Sequence, residues 1–179
     1  MKTEDFVIEN LKKAGDFISN FLIRELKETE IPLLRHFLYE AIYLPDPEVV
    51  LPPEIIKQPE ISLYIDKWGQ RDDLCLVALV DEKVIGAVWT RILSGKRRGY
   101  GNIDDKTPEF SISVFKEYRG QGIGKALMEK MIALLKEKGY SQASLSVAKD
   151  NYACKLYLDL GFSILKEREQ DYLMILKWK

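Results

Sequence analysis

The chain has 179 residues, 46% hydrophobic and 11% aromatic, which suits one domain with a substantial core. A formal net charge of −1 argues against the basic face of a nucleic-acid binder. Two cysteines, no apolar run near the roughly 18 residues of a membrane span, and no apolar signal segment in the first six residues make a cytoplasmic protein the expectation, with no membrane partner.

Phe6, Val7, Leu11 and Ala14 recur at helical spacing before Gly15. This predicts a short amphipathic helix over 4–14, docked on its own domain or on a partner subunit. Residues 21–26 read as the first strand. Thr29 is placed to cap a helix with Pro32 in its first turn and an apolar stripe of Leu34, Phe37, Leu38, Ala41 and Ile42. Residues 45–59 are proline-rich and read as a loop, and 61–68 as a second short helix ended by Gly69. Residues 74–80 and 83–93 flank Asp81-Glu82 and predict a tight hairpin. Lys96, Arg97 and Arg98 lie in the polar stretch 94–105. They read as solvated, with a contact to a phosphate or an acidic substrate as the alternative. A strand over 110–115, a helix over 124–138, a strand over 143–147, a helix over 151–160 and a hairpin of 163–168 with 172–177 complete the chain.

The stretch Tyr118-Arg119-Gly120-Gln121-Gly122-Ile123-Gly124-Lys125 joins a strand to a helix. Glycines there leave backbone N–H groups uncovered, and the helix start adds unpaired N–H groups and partial positive charge. That combination suits a phosphate or pyrophosphate. Gly124-Lys125 is followed by Ala126, so the hydroxyl of a Walker loop is missing. Gly120, Gly122 and Gly124 have the wrong spacing for a dinucleotide fingerprint, and the strand over 143–147 carries no acid at its end.

Arg119-x-x-Gly122-x-Gly124 resembles the acetyl-CoA signature of the GNAT acetyltransferase superfamily. Asn151, the Leu156-Tyr157 pair and Gly161-Phe162 resemble its second motif, and the two together cover about 109–162. The resemblance implies a single α/β domain over 21–179 with a GNAT acyl-CoA N-acyltransferase-like fold, a mixed, mostly antiparallel sheet with helices on both faces. Residues 1–20 would then be an N-terminal helical extension. It implies an N-acetyltransferase that uses acetyl-CoA as donor and a small-molecule or peptide amine as acceptor, by direct attack on the thioester. A homodimer is left open. The alternative is a catalytically silent acyl-CoA-binding or sensor domain.

Strand alternation puts Glu109, Ser111 and Ser113 on one face, and Phe110, Ile112 and Val114 on the other. By resemblance, this strand splays from the 143–147 strand, and backbone groups of Ile112, Ser113 and Val114 pair with the pantetheine arm. Gly120, Gln121, Gly122, Ile123, Gly124 and Lys125 would hold the diphosphate through backbone N–H groups. Arg119 would add charge there or tie down the loop. Asn151 would contact the cofactor, cap its helix, or both. Tyr157 would be the general acid, against packing in the core. Glu109 would be the general base, against a solvated carboxylate. Tyr43, Tyr64 and Trp68 would lie near substrate or fix a loop to the core. His36, the single histidine, lies off the apolar stripe and has no metal-ligand spacing around it. Cys154 reads as packing rather than as a nucleophile. The acceptor's identity is not legible.

Overall fold

The computed structural model describes Phe6, Val7 and residues 21–46 and 48–178. The chain builds one mixed sheet in the order β1-β2-β3-β4-β5-β6-β8-β7. The strands are β1 (Phe6–Val7), β2 (Leu22–Glu25), β3 (Leu74–Val80), β4 (Lys83–Arg91), β5 (Glu109–Val114), β6 (Gln142–Ala148), β7 (Ser163–Glu167) and β8 (Asp171–Lys177). Every neighbouring pair is antiparallel except β5 and β6.

Alternation along β3 sends its apolar side chains into two cores. Leu76 and Ala78 join the core built on α3 (Ile123–Glu137), with Leu127, Met128, Met131 and Leu135. Cys75, Val77 and Leu79 join the opposite core, built on Leu34, Phe37 and Leu38 of α1 (Leu34–Ala41) and on Trp89. Helices thus cover both faces, as expected. No helix of the described residues is long and apolar enough to cross a membrane. The β3–β4 turn is the predicted one: Asp81 and Glu82 take φ of 47° and 63°, the left-handed pair that a two-residue hairpin needs.

Three expectations are corrected. Thr29 does not cap α1. It lies inside a 3-10 turn, Glu28–Leu33, because Glu30 reaches back to accept the Lys27 N–H at 3.0 Å and moves the start upstream. Arg24 grips the same carboxylate at 2.6 and 2.7 Å and holds it below the usual carboxylate range. The helix expected over 61–68 is only α2 (Pro59–Ser62). Arg91 Nη1 donates to the carbonyls of Leu63 and Asp66, both at 2.8 Å, and so bends that segment around its guanidinium. Of the two alternatives for Trp68 the loop-fixing one holds: it packs against the α1 core and faces Arg91, its ring centroid 5.5 Å from the guanidinium carbon, and does not line the cleft described below. The helix expected over 4–14 does not run through Phe6 and Val7, which pair with Ile23 and Leu22. The open edge of β2 offers backbone partners that a short isolated helix cannot match. The rest of that helix lies outside the described residues.

Arg91 and Asp73 are a buried pair, 8% and 4% exposed, joined at 2.8 Å. Removing one member of such a pair strands the other charge. Asp73→Ala is expected to cost about 3–5 kcal/mol, read from urea unfolding. A loss under about 1 kcal/mol, the range of surface pairs, would contradict this.

Candidate active site

β5 and β6 touch at a single register pair, Glu109 with Ser144, where Ser144 N–H donates to Pro108 C=O at 3.0 Å. Beyond it the two strands part. On its other edge β5 pairs with β4 throughout. Phe115 N–H donates to Ile85 C=O at 3.0 Å, which fixes the alternation of that ladder. Ser113 therefore turns its backbone groups to β4, whereas Ile112 and Val114 turn theirs into the gap. Ser113 is bound a second time: its Oγ donates to Phe37 C=O at 2.8 Å and docks α1 on β5.

The gap widens into a cleft of about 1250 Å³ between the end of α1, the glycine loop, β6 and α4 (Ala153–Asp159). The loop folds as its glycines dictate. Gly120 and Gly122 sit at φ of 74° and 81°, where other residues are strained. α3 makes its first internal bond from Ala126 N–H to Gly122 C=O, at 3.0 Å. The N–H groups of Ile123, Gly124 and Lys125 thus point forward with no partner in the helix. A Cβ added to Gly124 would meet only Ile112 Cδ1 and Leu156 Cδ2, both at 4.0 Å. Nothing among the described residues demands glycine there, so the open space favours a ligand that approaches the backbone closely. A phosphorylated ligand with an extended amide arm fits this set of groups.

Arg119 ties the loop down. Its Nε donates to Val114 C=O at 2.7 Å and its Nη2 lies 3.2 Å from Glu40 Oε2. Gln121 donates to Glu117 C=O at 3.2 Å, and Lys125 stands 3.8 Å from Glu129. Asn151 Oδ1 accepts the Ala153 N–H at 2.9 Å, a cap for α4, and the residue also lines the cleft.

Tyr157 projects from α4 to the cleft wall and packs against Phe162, ring centroids 6.0 Å apart. Its hydroxyl has no hydrogen-bond partner among the described residues, and burial pushes its pKa well above the usual phenol value. Glu109 is 3% exposed. Its Oε1 accepts from Tyr64 Oη at 2.7 Å and from Gly101 N–H at 2.8 Å. Burial raises this carboxyl above its ordinary range, although the bonds from Tyr64 and Gly101 and the charge of Arg168 pull the other way. The carboxylate is therefore sealed rather than solvated.

Tyr43 also borders the cleft, and its hydroxyl donates to Asp150 C=O at 2.8 Å, bridging from the segment after α1 to the turn before α4. Sequence reasoning missed contacts made by Glu40 and by the segment 99–101. Glu40 meets Arg119, and the Gly99–Gly101 segment lies on Glu109. The paired glycines were the one available signal for the second.

The model of the Acetyltransferase (GNAT) family matches residues 36–162. The [ribosomal protein bS18]-alanine N-acetyltransferase of Haemophilus influenzae is 38% identical over 68 residues, 38% of this chain and 47% of that protein. Human N-acetyltransferase 8B is 36% identical over 93 residues, 48% of this chain and 37% of that one. The chain thus spans less than half the length of these curated relatives. The Paia N-acetyltransferase of Thermoplasma acidophilum, solved in complex with coenzyme A, superposes with a TM-score of 0.64 at 20% identity, covering 88% of this chain and 99% of that one. The Escherichia coli ribosomal-protein-S18-alanine N-acetyltransferase gives 0.61 at 20% identity, covering 88% and 93%. These structures share the fold, and with the family model spanning both the glycine loop and α4, the chain belongs to the GNAT acetyltransferase family.

Proposed function

We propose that residues 21–179 transfer the acetyl group of acetyl-CoA to a primary amine. The observation that carries this is the parting of β5 from β6 beside a glycine loop, which brings Ile112, Val114, Gly124 and Lys125 to one cleft. Acetyl-CoA would supply the activated thioester. Ile112 and the Val114 N–H would hold its amide arm, and the loop its diphosphate. Gln121 and Lys125 would contribute through the backbone, Arg119 by fixing the loop, and Asn151 from the start of α4. The relative named as a [ribosomal protein bS18]-alanine N-acetyltransferase supports an amine acceptor.

An alkyl amine has a pKa near 10.4 and must shed a proton to attack. Glu109 is the base we assign, and its raised pKa makes it a better proton acceptor than an ordinary carboxylate. Tyr157 is the acid assigned to the departing thiolate, and its proton is firmly held at neutral pH. Cys154 supports direct attack over an acyl-enzyme. Its Sγ points at the carbonyls of Ala148 and Lys149, 3.4 and 3.9 Å away, and burial keeps it a thiol. Two unpaired cysteines, Cys75 and Cys154, support a cytoplasmic setting.

The test is thiol release from acetyl-CoA with phenethylamine, spermidine, lysine and an alanine-initiated peptide. Turnover with at least one is expected, and a panel no faster than the amine-free blank would contradict the proposal. Tyr157→Phe is expected to lower kcat about 10²-fold and leave coenzyme A affinity unchanged by calorimetry. Unchanged kcat would remove Tyr157 from the acid role.

A further inference from the structure

Glu109 does not meet the cleft with a free oxygen. Both acceptor positions of its Oε1 are filled, by Tyr64 Oη and Gly101 N–H. Its Oε2 is buried with no hydrogen-bond partner among the described residues. Gly99 lies so close that a Cβ there would stand 2.0 Å from Oε2, and one on Gly101 would stand 2.8 Å from Glu109 Cγ. Bare backbone over 99–101 therefore roofs the carboxylate. Arg168 Nη2 holds that roof by donating to Tyr100 C=O.

Glu109 and Tyr64 both line the cleft, and the Tyr64 hydroxyl fills one of the two acceptor positions of Glu109 Oε1. It also accepts the Tyr100 N–H at 2.7 Å. A phenol oxygen has two acceptor positions, so one is left. Its ring is fixed by its own backbone, since the Tyr64 carbonyl accepts Trp89 Nε1–H at 3.1 Å.

We propose that Tyr64 is a catalytic residue that receives the acceptor amine's proton and passes its own to Glu109. This rests on the amine-transfer reading with Glu109 as base. One N–H bond of the amine breaks as its proton joins the Tyr64 oxygen. The Tyr64 O–H bond breaks as that proton joins Glu109 Oε1. Tyr64 ends neutral and Glu109 ends as a carboxylic acid, which returns its proton to solvent by the reverse route before the next turnover. No free tyrosinate is formed, because burial and the neighbouring Glu109 charge hold the phenol proton in place. The two transfers run together.

The test compares the wild-type chain with Tyr64→Phe under single turnover, with acetyl-CoA and the fastest amine of the panel above. The relay predicts a rate loss of about 10²-fold with coenzyme A affinity unchanged. It also predicts a curved dependence of the wild-type rate on deuterium fraction, from two moving protons, that becomes linear in Tyr64→Phe. A linear wild-type dependence overturns the relay without any variant. A purely bracing Tyr64 would instead leave the deuterium dependence the same in wild type and Tyr64→Phe, which also overturns it. If Glu109→Gln is inactive while Tyr64→Phe is active, the relay falls and the base stands. If both stay active, Glu109 is not the base. No turnover with any amine removes the transfer reading and the relay with it.

Discussion

Gly124→Glu is expected to weaken coenzyme A binding at least about 100-fold by calorimetry, because a fixed carboxylate replaces the space and positive potential that a diphosphate needs. Gly124 is the informative position because its own fold tolerates a side chain. The nearest atoms to an added Cβ are 4.0 Å away, and Gly124 is not among the residues with positive φ. An acidic side chain in the first turn of a helix is favourable to that helix. Lost binding therefore cannot be assigned to a melted α3, and the thermal midpoint should hold. Gly122→Glu would be ambiguous, since φ of 81° strains any side chain placed there. Gly124→Ala is the graded control, with a smaller loss from bulk without charge. Wild-type affinity in Gly124→Glu would take the loop out of the site.

Glu109→Gln is expected to lower kcat by about 10²–10⁴-fold, the usual range for a general base, with coenzyme A affinity intact. The amide keeps an oxygen for Tyr64 and Gly101, so the local packing survives while the proton acceptor is lost. Because burial raises this carboxyl, the wild-type acid limb of kcat/KM should lie above the ordinary glutamate value near 4.3. That limb should vanish in the variant, whereas the limb from the amine's own protonation should remain in both. The stability consequence has a defined sign. A group that binds its proton more tightly folded than unfolded favours the native state below its unfolded value, and that contribution is lost as pH rises through the raised folded value. Wild-type stability should therefore decline across this window by urea unfolding, and Glu109→Gln should not share the decline. Equal slopes would show that Glu109 is not perturbed.

The sequence spoke clearly wherever the controlling physics is local. Glycines between a strand and an amphipathic helix located the loop and α3, and Asp81-Glu82 located the hairpin. The alternation of β5 separated Glu109 from Phe110. Where a distant side chain decides, it was silent. Arg91 lies 28 residues from the Leu63 carbonyl that it binds, and shortens α2 from another strand. Tyr64 reaches Glu109 across 45 residues, so neither the burial of that carboxylate nor its hydroxyl neighbour shows in local spacing. Trp68 turned to Arg91 for the same reason. Arg119 was legible as a loop residue, but its bond to Val114 C=O needed the register of β5 to appear.

The most direct measurement is a crystal structure of the chain soaked with coenzyme A. The diphosphate should lie on the N–H groups of Ile123 and Gly124, with the amide arm running between β5 and β6 along Ile112 and Val114. Coenzyme A lodged elsewhere on the protein, or no uptake by equilibrium dialysis, would contradict the account.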